Sequence, residues 1–201
     1  MFKKGLYSII GLTLLVSLMV WGQDTPTIDG SVSADEYAFH FSFEDINMDV
    51  YWTMTDTELY VGMSAPAAGW VSVGIRDGVP DEADENVMQG VDFVLGYIED
   101  GTLFMRDDFG DTPFTHSADT DLGGSDDVLE AAGSEANGIT TIEYKRPIDT
   151  GDEFDNPVAQ GKAEVYLAHS DADDFVSVHT DRMEAVINFL TGEVIFEEEE
   201  D

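Results

Sequence analysis

Met88 stands out among the side chains that could bind a metal because of its position in the sequence. It lies in "ENVMQGVDFVLGY", residues 85–97, after a polar loop and before an apolar run typical of a strand. Most methionines of this kind fill irregular gaps in a core, and packing is the alternative here too. Beside a flexible glycine at a strand entrance, however, a thioether can also ligate a soft metal ion. The remaining methionines of the predicted domain lie within or at the ends of predicted strands and are interpreted as packing residues: Met48, Met54, Met63, Met105 and Met183.

Two of the four histidines lie late in the sequence, where a second metal ligand is expected. His40 alternates with aromatic residues and His116 lies in a polar loop, so both are interpreted as surface or packing residues. His169 ends the apolar segment "YLAHSD", and His179 lies in "VSVHTDRMEAVINF" just before the last predicted strand. One imidazole and one thioether are the axial ligands of haem iron in many electron carriers. Met88 with one late histidine therefore predicts a haem iron site, and the residues alone leave the choice of histidine open.

Motifs for other chemistry are missing from the sequence. It contains no G-x-S-x-G segment, no H-E-x-x-H pair and no phosphate-binding P-loop. It also contains no cysteine, which excludes disulfides, thiolate metal sites and a covalently attached haem. We therefore expect a haem to be bound non-covalently, and we do not expect an enzyme with its own acid–base machinery.

Three acidic loops are rich in oxygen ligands of the kind that calcium prefers. They are "DGVPDEADEN" (77–86), "DTDLGGSDD" (119–127) and "DADD" (171–174). None has the twelve-residue spacing of an EF-hand loop. We interpret them as solvated surface, with bound calcium as the less favoured alternative.

The charge of the chain restricts its partners. Acidic residues number 43 and basic residues 8, for a net charge of −35, which excludes nucleic acid as an expected partner. We interpret the acidic residues as a solvated surface, with attraction of a basic partner or of cations as the alternative. Hydrophobic residues make up 43% of the chain and aromatic residues 11%, so we expect a folded core.

The amino-terminal segment predicts export. "MFKK" supplies positive charge, and an uncharged apolar run follows it up to Gly22. This pattern is typical of a cleaved signal peptide, residues 1–22, with an uncleaved membrane anchor as the alternative. We expect a protein of the periplasm, the cell exterior or the envelope, with one domain over residues 23–192 and a disordered acidic tail over 193–201.

The pattern of the predicted domain is that of short strands. Apolar residues alternate with other residues in 37–43, and with small residues in "GWVSVGI" (69–75). Short apolar segments such as 59–64 also indicate strands, and turn signals separate them. Residues 110–128 are long, polar and rich in glycine and aspartate, which indicates a loop or a frayed edge strand. We predict an all-β protein, an immunoglobulin-like antiparallel β-sandwich of about nine to eleven strands.

The order of these segments resembles the DOMON domain, a β-sandwich family named after the amino-terminal region of dopamine β-monooxygenase, and in particular its secreted bacterial members. The matching segments lie between residues 28 and 190: "DGSVSADEY", "YWTMTDTELYVGMSA", "GWVSVGI", "MQGVDFVLGYIEDG", "IEYKRPIDTGDEFD" and "VHTDRMEAVINF".

The resemblance implies a b-type haem inside the sandwich, as in the cytochrome branch of the family that includes the cytochrome domain of cellobiose dehydrogenase. It implies Met88 and His179 as axial ligands, with His169 as the reserve. The glycines that this branch places around the late histidine are missing from "VHTDRME". Further candidate cofactor contacts are Trp70, Arg146 and Arg182, although a salt bridge with "DTGD" (149–152) is the favoured role of Arg146.

The expected function is single-electron transfer with a redox partner protein or a membrane cytochrome. An alternative is a haem-free module that binds a carbohydrate or an envelope partner through aromatic residues such as Trp52 and Trp70. A calcium-stabilised interaction module is the third hypothesis.

Overall fold

A computed structural model describes residues 25–78, 88–158 and 161–196, so the predicted signal peptide lies outside the described residues. In chain order the strands and the one short helix are β1 (Phe39–Phe43), β2 (Met48–Met54), β3 (Glu58–Ala65), β4 (Val71–Asp77), β5 (Asp92–Glu99), β6 (Thr102–Thr112), β7 (Thr115–Ala118), α1 (Asp119–Leu122), β8 (Glu130–Ala136), β9 (Ile139–Pro147), β10 (Lys162–His169), β11 (Asp181–Asn188) and β12 (Glu193–Ile195).

These strands form two antiparallel sheets that pack face to face, which confirms the predicted β-sandwich. The smaller sheet has the order β1-β2-β3-β9-β8, and the larger has the order β12-β11-β10-β4-β5-β6-β7. The described residues contain twelve strands, against the nine to eleven that we predicted. The short strands β7 and β12 lie at the two edges of the larger sheet, and β7 falls inside the segment predicted as a loop or frayed edge strand.

The space between the sheets is filled by apolar side chains from alternate positions of the strands. On β5 the inward residue is Val94, and on β10 the inward residues are Val165 and Leu167. Large side chains from the smaller sheet fill the opposite wall, among them Trp52, Met63 and Tyr144. Because a strand alternates its side chains, the neighbours of Val94, Val165 and Leu167 point to the other side of the larger sheet.

That other side, here called the outer face, carries an apolar cluster of its own. Its buried members are Val91, Phe93, Leu95 and Tyr166. An antiparallel sheet in a sandwich commonly turns its second face to water. A buried apolar cluster on the outer face is therefore the main departure of this domain from a simple two-layer sandwich.

The segment before β1 packs across the smaller sheet and is held there by one buried carboxylate. Glu143 on β9 is fully buried and accepts hydrogen bonds from the backbone N–H groups of Asp29, Gly30 and Ser31 at 2.7–3.2 Å. It also accepts one from the hydroxyl of Tyr37 at 2.8 Å. Gly30, with a φ of +85°, lies so close to the Gly133 backbone that a Cβ would be 2.9 Å from it.

We predicted that the domain ends at residue 192. The described residues that follow, 193–196, still pack on the sandwich. Strand β12 pairs with β11, and the ring of Phe196 lies 5.7 Å from that of Phe41. The first residues of the predicted tail therefore belong to the sandwich, and residues 197–201 lie outside the described part. Within the described ranges, no helix has the length and the apolar character needed to cross a membrane.

Replacement of Glu143 by alanine should destabilise the fold strongly. It would leave three backbone N–H groups and a tyrosine hydroxyl without their acceptor, and we expect the free energy of unfolding to fall by about 3 kcal/mol. Urea unfolding of Glu143→Ala measures this loss. Glu44→Ala removes an exposed carboxylate and is the matched control; equal losses in the two variants would contradict the role of Glu143.

Candidate functional site

Met88 lies on the outer face of the larger sheet, at the turn that leads into β5. Its side chain is partly buried against the apolar cluster of that face. Its backbone N–H donates to the carbonyl of Pro113 at 3.3 Å, and its carbonyl accepts from the N–H of Val91 at 3.1 Å. Gly110 allows this approach, because a Cβ there would lie 1.7 Å from the Met88 carbonyl oxygen. The thioether is therefore fixed by its backbone at the rim of the outer face.

His179 lies in the loop between β10 and β11, and this loop also folds over the outer face. The loop is anchored by hydrogen bonds from the N–H of Trp70 to the carbonyl of Ala172 (3.2 Å) and from the N–H of Thr180 to the carbonyl of His169 (2.7 Å). Phe175 of the same loop packs against the apolar cluster that Met88 contacts. Met88 and the loop that carries His179 thus lie on the same side of the larger sheet.

The protonation of His179 suits a metal ligand. The residue is half-buried. Burial, with a further contribution from the neighbouring positive charge of Arg182, lowers the pKa of His179 below its usual value. A neutral imidazole has a free lone pair, so near neutral pH this side chain is available to bind a metal.

Aromatic rings and arginines cover the rest of the outer face. The ring of Phe175 lies 4.9 Å from that of Tyr97, and the Arg106 guanidinium lies 4.7 Å above the Phe175 ring. Arg76 lies 5.1 Å above the ring of Tyr166. Apolar contact area with cations at its edge is the surface expected for a flat aromatic ligand that carries carboxylates.

His169, the reserve ligand, does not share a side with Met88. It occupies an inward position of β10, like Val165 and Leu167, and it is 3% exposed. Its Nε2 donates to the carbonyl of Ile46 at 3.0 Å. The larger sheet therefore separates His169 from Met88, and in this structure the two side chains cannot bind one iron.

The other predicted cofactor contacts are dispersed. Arg146 points inward from β9, is 3% exposed and donates to Asp92 (2.6 Å) and Asp155 (2.8 Å). The salt bridge favoured for it is thus present, but with these two carboxylates rather than with residues 149–152. Arg182 lies at an outward position of β11 and pairs with Glu184 at 3.2 Å. Of these two arginines, Arg182 is the one on the same face as Met88.

The space between the two sheets, where the resemblance implies a haem, is filled by core side chains. Two open surface clefts among the described residues measure about 310 and 380 Å³, and none of the predicted site residues lines them. Trp52 and Trp70 are 1% and 6% exposed, so neither ring is available to stack on a sugar at the surface.

A second group of candidate ligand side chains was not predicted from the sequence. Six aspartates meet near Arg146, at the end of the sandwich where β5 and β6 face the loop after β9: Asp92, Asp107, Asp119, Asp127, Asp152 and Asp155. We call this group the interior carboxylate cluster. One oxygen each of Asp92, Asp107 and Asp155 lies within 4.8 Å of the other two, and the same holds for Asp127, Asp152 and Asp155.

The deepest members of this cluster have oxygens without a hydrogen-bond donor. Asp92 accepts from Arg146 and from the N–H of Asn156 through Oδ2, while its Oδ1 is unpaired. Asp107 accepts from the N–H of Asp127 at 2.8 Å, and its Oδ1 is also unpaired. Asp119 is 0% exposed with both oxygens unpaired. Buried carboxylate oxygens are normally satisfied by a hydrogen-bond donor or an ion, so these oxygens make the cluster a candidate ligand site.

Burial and mutual repulsion shift the ionisation of these groups. Burial, and then repulsion by Asp92, raises the pKa of Asp107 to about 8. Burial, and then repulsion by Asp92 and Asp155, raises the pKa of Asp119 to about 8. The sequence contained one signal for this site, the acidic loop 119–127, but the loop was interpreted as solvated surface.

Comparison with known proteins gives one match. The model of the DOMON domain family matches residues 44–170, more than half of the chain. The matched region contains Met88, the strands β2 to β10 and all six residues of the interior carboxylate cluster, and it ends before His179. A search of curated proteins finds no match.

The raised pKa values predict how stability depends on pH when chelator removes divalent cations. The pKa of an aspartate rises from 3.8 in the unfolded chain to about 8 in the fold for Asp107 and Asp119. The folded state then holds the extra protons, so these groups favour folding at low pH, and the stability is lost as pH rises toward 8. The groups that face them are Asp92, Asp108, Asp152, Asp155 and Arg146.

Urea unfolding in EDTA between pH 5.5 and 8.5 measures this effect. We expect the free energy of unfolding to fall across this range in the native chain, and to fall clearly less in the double variant Asp107→Asn/Asp119→Asn. The general repulsion of an acidic chain is nearly the same in both proteins, so the difference isolates the two carboxyl groups. Parallel pH profiles would contradict their assignment as buried neutral acids.

Proposed function

Because the chain belongs to the DOMON domain family, we propose that it is a non-covalent b-type haem module for single-electron transfer, with Met88 and His179 as the axial ligands. The family contains haem-binding domains and other interaction modules. The observation that carries the proposal for this chain is that Met88 and the loop of His179 meet on one outer face of the larger sheet.

The residues of the outer face fit the chemistry of a haem. Phe93, Leu95 and Tyr166 offer an apolar floor, as porphyrin-binding surfaces do. A thioether on one loop and a half-buried neutral imidazole on another are the two ligand types of low-spin electron carriers. When bound, a haem with these ligands supplies reversible one-electron transfer at its iron.

Cations near this floor can hold the propionates. Arg76 and Arg106 lie over aromatic rings of the outer face, and Arg182 lies on the outward side of β11 close to His179 in sequence. Each already pairs with a carboxylate, Arg76 with Glu164, Arg106 with Asp108 and Arg182 with Glu184, so a propionate would have to compete with that carboxylate. Arginine pairs with carboxylates through two parallel hydrogen bonds, which gives orientation as well as affinity. Arg146 is committed to Asp92 and Asp155 inside the sandwich and is not assigned to the haem.

Phe175 is the side chain that must respond to a ligand on this face. It packs on the apolar cluster and on Tyr97, and therefore competes with a porphyrin for the same surface. Its loop also exposes Val176 and Val178, at 84% and 79%. These two residues bury little in the present arrangement, so we expect the loop to be rearranged when the cofactor binds.

The electron partner of such a module is proposed from charge. With a net charge of −35, the chain attracts a basic surface at long range and repels an acidic one. A redox protein or membrane cytochrome with a basic docking surface suits this field. Export to the periplasm, the envelope or the cell exterior remains a prediction from residues 1–22.

The visible spectrum of the haem-reconstituted protein tests the proposal. We expect sharp low-spin α and β bands on reduction, and loss or marked displacement of these bands in Met88→Ala and in His179→Ala. A high-spin spectrum in the native chain, or bands unchanged in both variants, would overturn the proposal.

Matched controls separate ligation from general damage. Met54→Ala and His40→Ala change the same residue types on the smaller sheet, away from the outer face, and should keep the bands. His169→Ala should keep them as well, because His169 faces the core. Loss of the bands in His169→Ala with retention in His179→Ala would reassign the imidazole ligand.

A further inference from the structure

We propose that the interior carboxylate cluster binds a hard divalent cation of the Ca²⁺ type, held between Asp92, Asp107 and Asp155. The observations behind this proposal do not involve the haem ligands, because Asp92 and Asp107 lie on the inward side of the larger sheet. It concerns a site for which the sequence alone offered only an acidic loop.

The geometry brings oxygen ligands together from distant parts of the chain. Asp92 begins β5, Asp107 lies on β6 and Asp155 lies in the loop after β9, yet one oxygen of each falls within 4.8 Å of the others. Carboxylate oxygens bind calcium at about 2.3–2.6 Å. Three oxygens at that distance from one ion can lie within 4.8 Å of one another, as these three do. The fold therefore places a ligand triad, not merely acidic residues in one loop.

The unpaired oxygens are the independent sign that a ligand belongs here. Asp92 and Asp107 are 1% and 3% exposed, and each has one oxygen held by a donor while the other has none. This is the arrangement of a metal-binding carboxylate whose second oxygen is oriented by a neighbour. Asp119, wholly buried with both oxygens unpaired, faces the same charges and can add a further ligand.

The charges near the triad are not balanced by protein groups. Arg146 is the cation that pairs with Asp92 and Asp155, and Asp107 and Asp119 have no basic partner among the contacts of the described residues. A buried ionised carboxylate without a partner is costly. One divalent cation would compensate two further negative charges and would allow Asp107 and Asp119 to ionise.

The composition of the site selects the kind of cation. The two groups of three ligands contain carboxylates alone, which suits calcium rather than zinc or copper. The shared residue Asp155 links the deep triad to Asp127 and Asp152, which are half-buried. These two offer further carboxylate oxygens between the deep triad and the surface.

Calcium titration of the purified, EDTA-treated protein tests the proposal. Isothermal titration with CaCl₂ in buffered KCl should give one saturable site, and at about 100-fold excess over Kd the Tm should rise by about 5 to 10 °C. Asp107→Asn should abolish most of this rise. MgCl₂ at the same concentration should give a smaller rise, because magnesium releases its water reluctantly.

A matched variant excludes the diffuse attraction of cations by an acidic chain. Asp121→Asn removes an exposed carboxylate from the same loop as Asp119 and should keep the full calcium response. Equal responses in Asp107→Asn, Asp121→Asn and the native chain, or no response in the native chain, would overturn the proposal.

The stability of the variants without calcium adds a readout that a purely structural role would not give. In EDTA at pH 8.5, Asp107→Asn should be at least as stable as the native chain, whereas with calcium it should be less stable. If Asp107→Asn does not fold, Asp119→Asn provides the same comparison. A lower Tm than the native chain in both conditions, by the same amount, would assign Asp107 to packing and contradict the site.

Discussion

The buried pairing of Arg146 with Asp92 and Asp155 is the interaction on which much of this structure depends. Arg146 comes from the smaller sheet and Asp92 from the larger, so the ion pair joins the two layers at one end of the sandwich. Removing one member of a buried pair leaves an uncompensated charge, which costs more than the pair contributes. The same guanidinium holds Asp155, and with it the loop between β9 and β10.

Hydrogen bonds also connect this buried ion pair with the outer face. Asn156, next to Asp155, donates its backbone N–H to Asp92 and its side-chain amide to the carbonyl of Gly90 at 2.8 Å. Gly90 lies in the turn that begins with Met88 and has a φ of +81°, which favours glycine. A chain of hydrogen bonds thus connects the carboxylates inside the sandwich with the turn that positions the thioether outside. A cation among these carboxylates would therefore stabilise the backbone that presents Met88.

The sandwich could be predicted from the sequence because alternation and turn residues are local signals. The face on which Met88 lies could not, since it depends on which residues of β5 point inward, and a shift of one residue reverses every side chain. The partners of Arg146 could not be predicted either. Asp92 lies 54 residues before it in the sequence, and Asp155 lies just after the nearby "DTGD". For Asp119, burial comes from the packing of its loop against residues 152–155, where a Cβ on Gly124 would lie 2.8 Å from Phe154. The composition of residues 119–127 does not predict the contact of this loop with residues 152–155.

The central claim is that the thioether of Met88 binds haem iron on the outer face. Proton–carbon NMR of the reduced, haem-reconstituted protein with ¹³C-methyl methionine tests it most directly, because the porphyrin ring current shifts a methyl group farthest upfield when that group lies close above the ring centre. We predict one methionine methyl resonance displaced far upfield on haem binding, and its absence in Met88→Leu. Methyl resonances that all keep ordinary positions, or a displaced resonance that survives in Met88→Leu, would contradict the assignment.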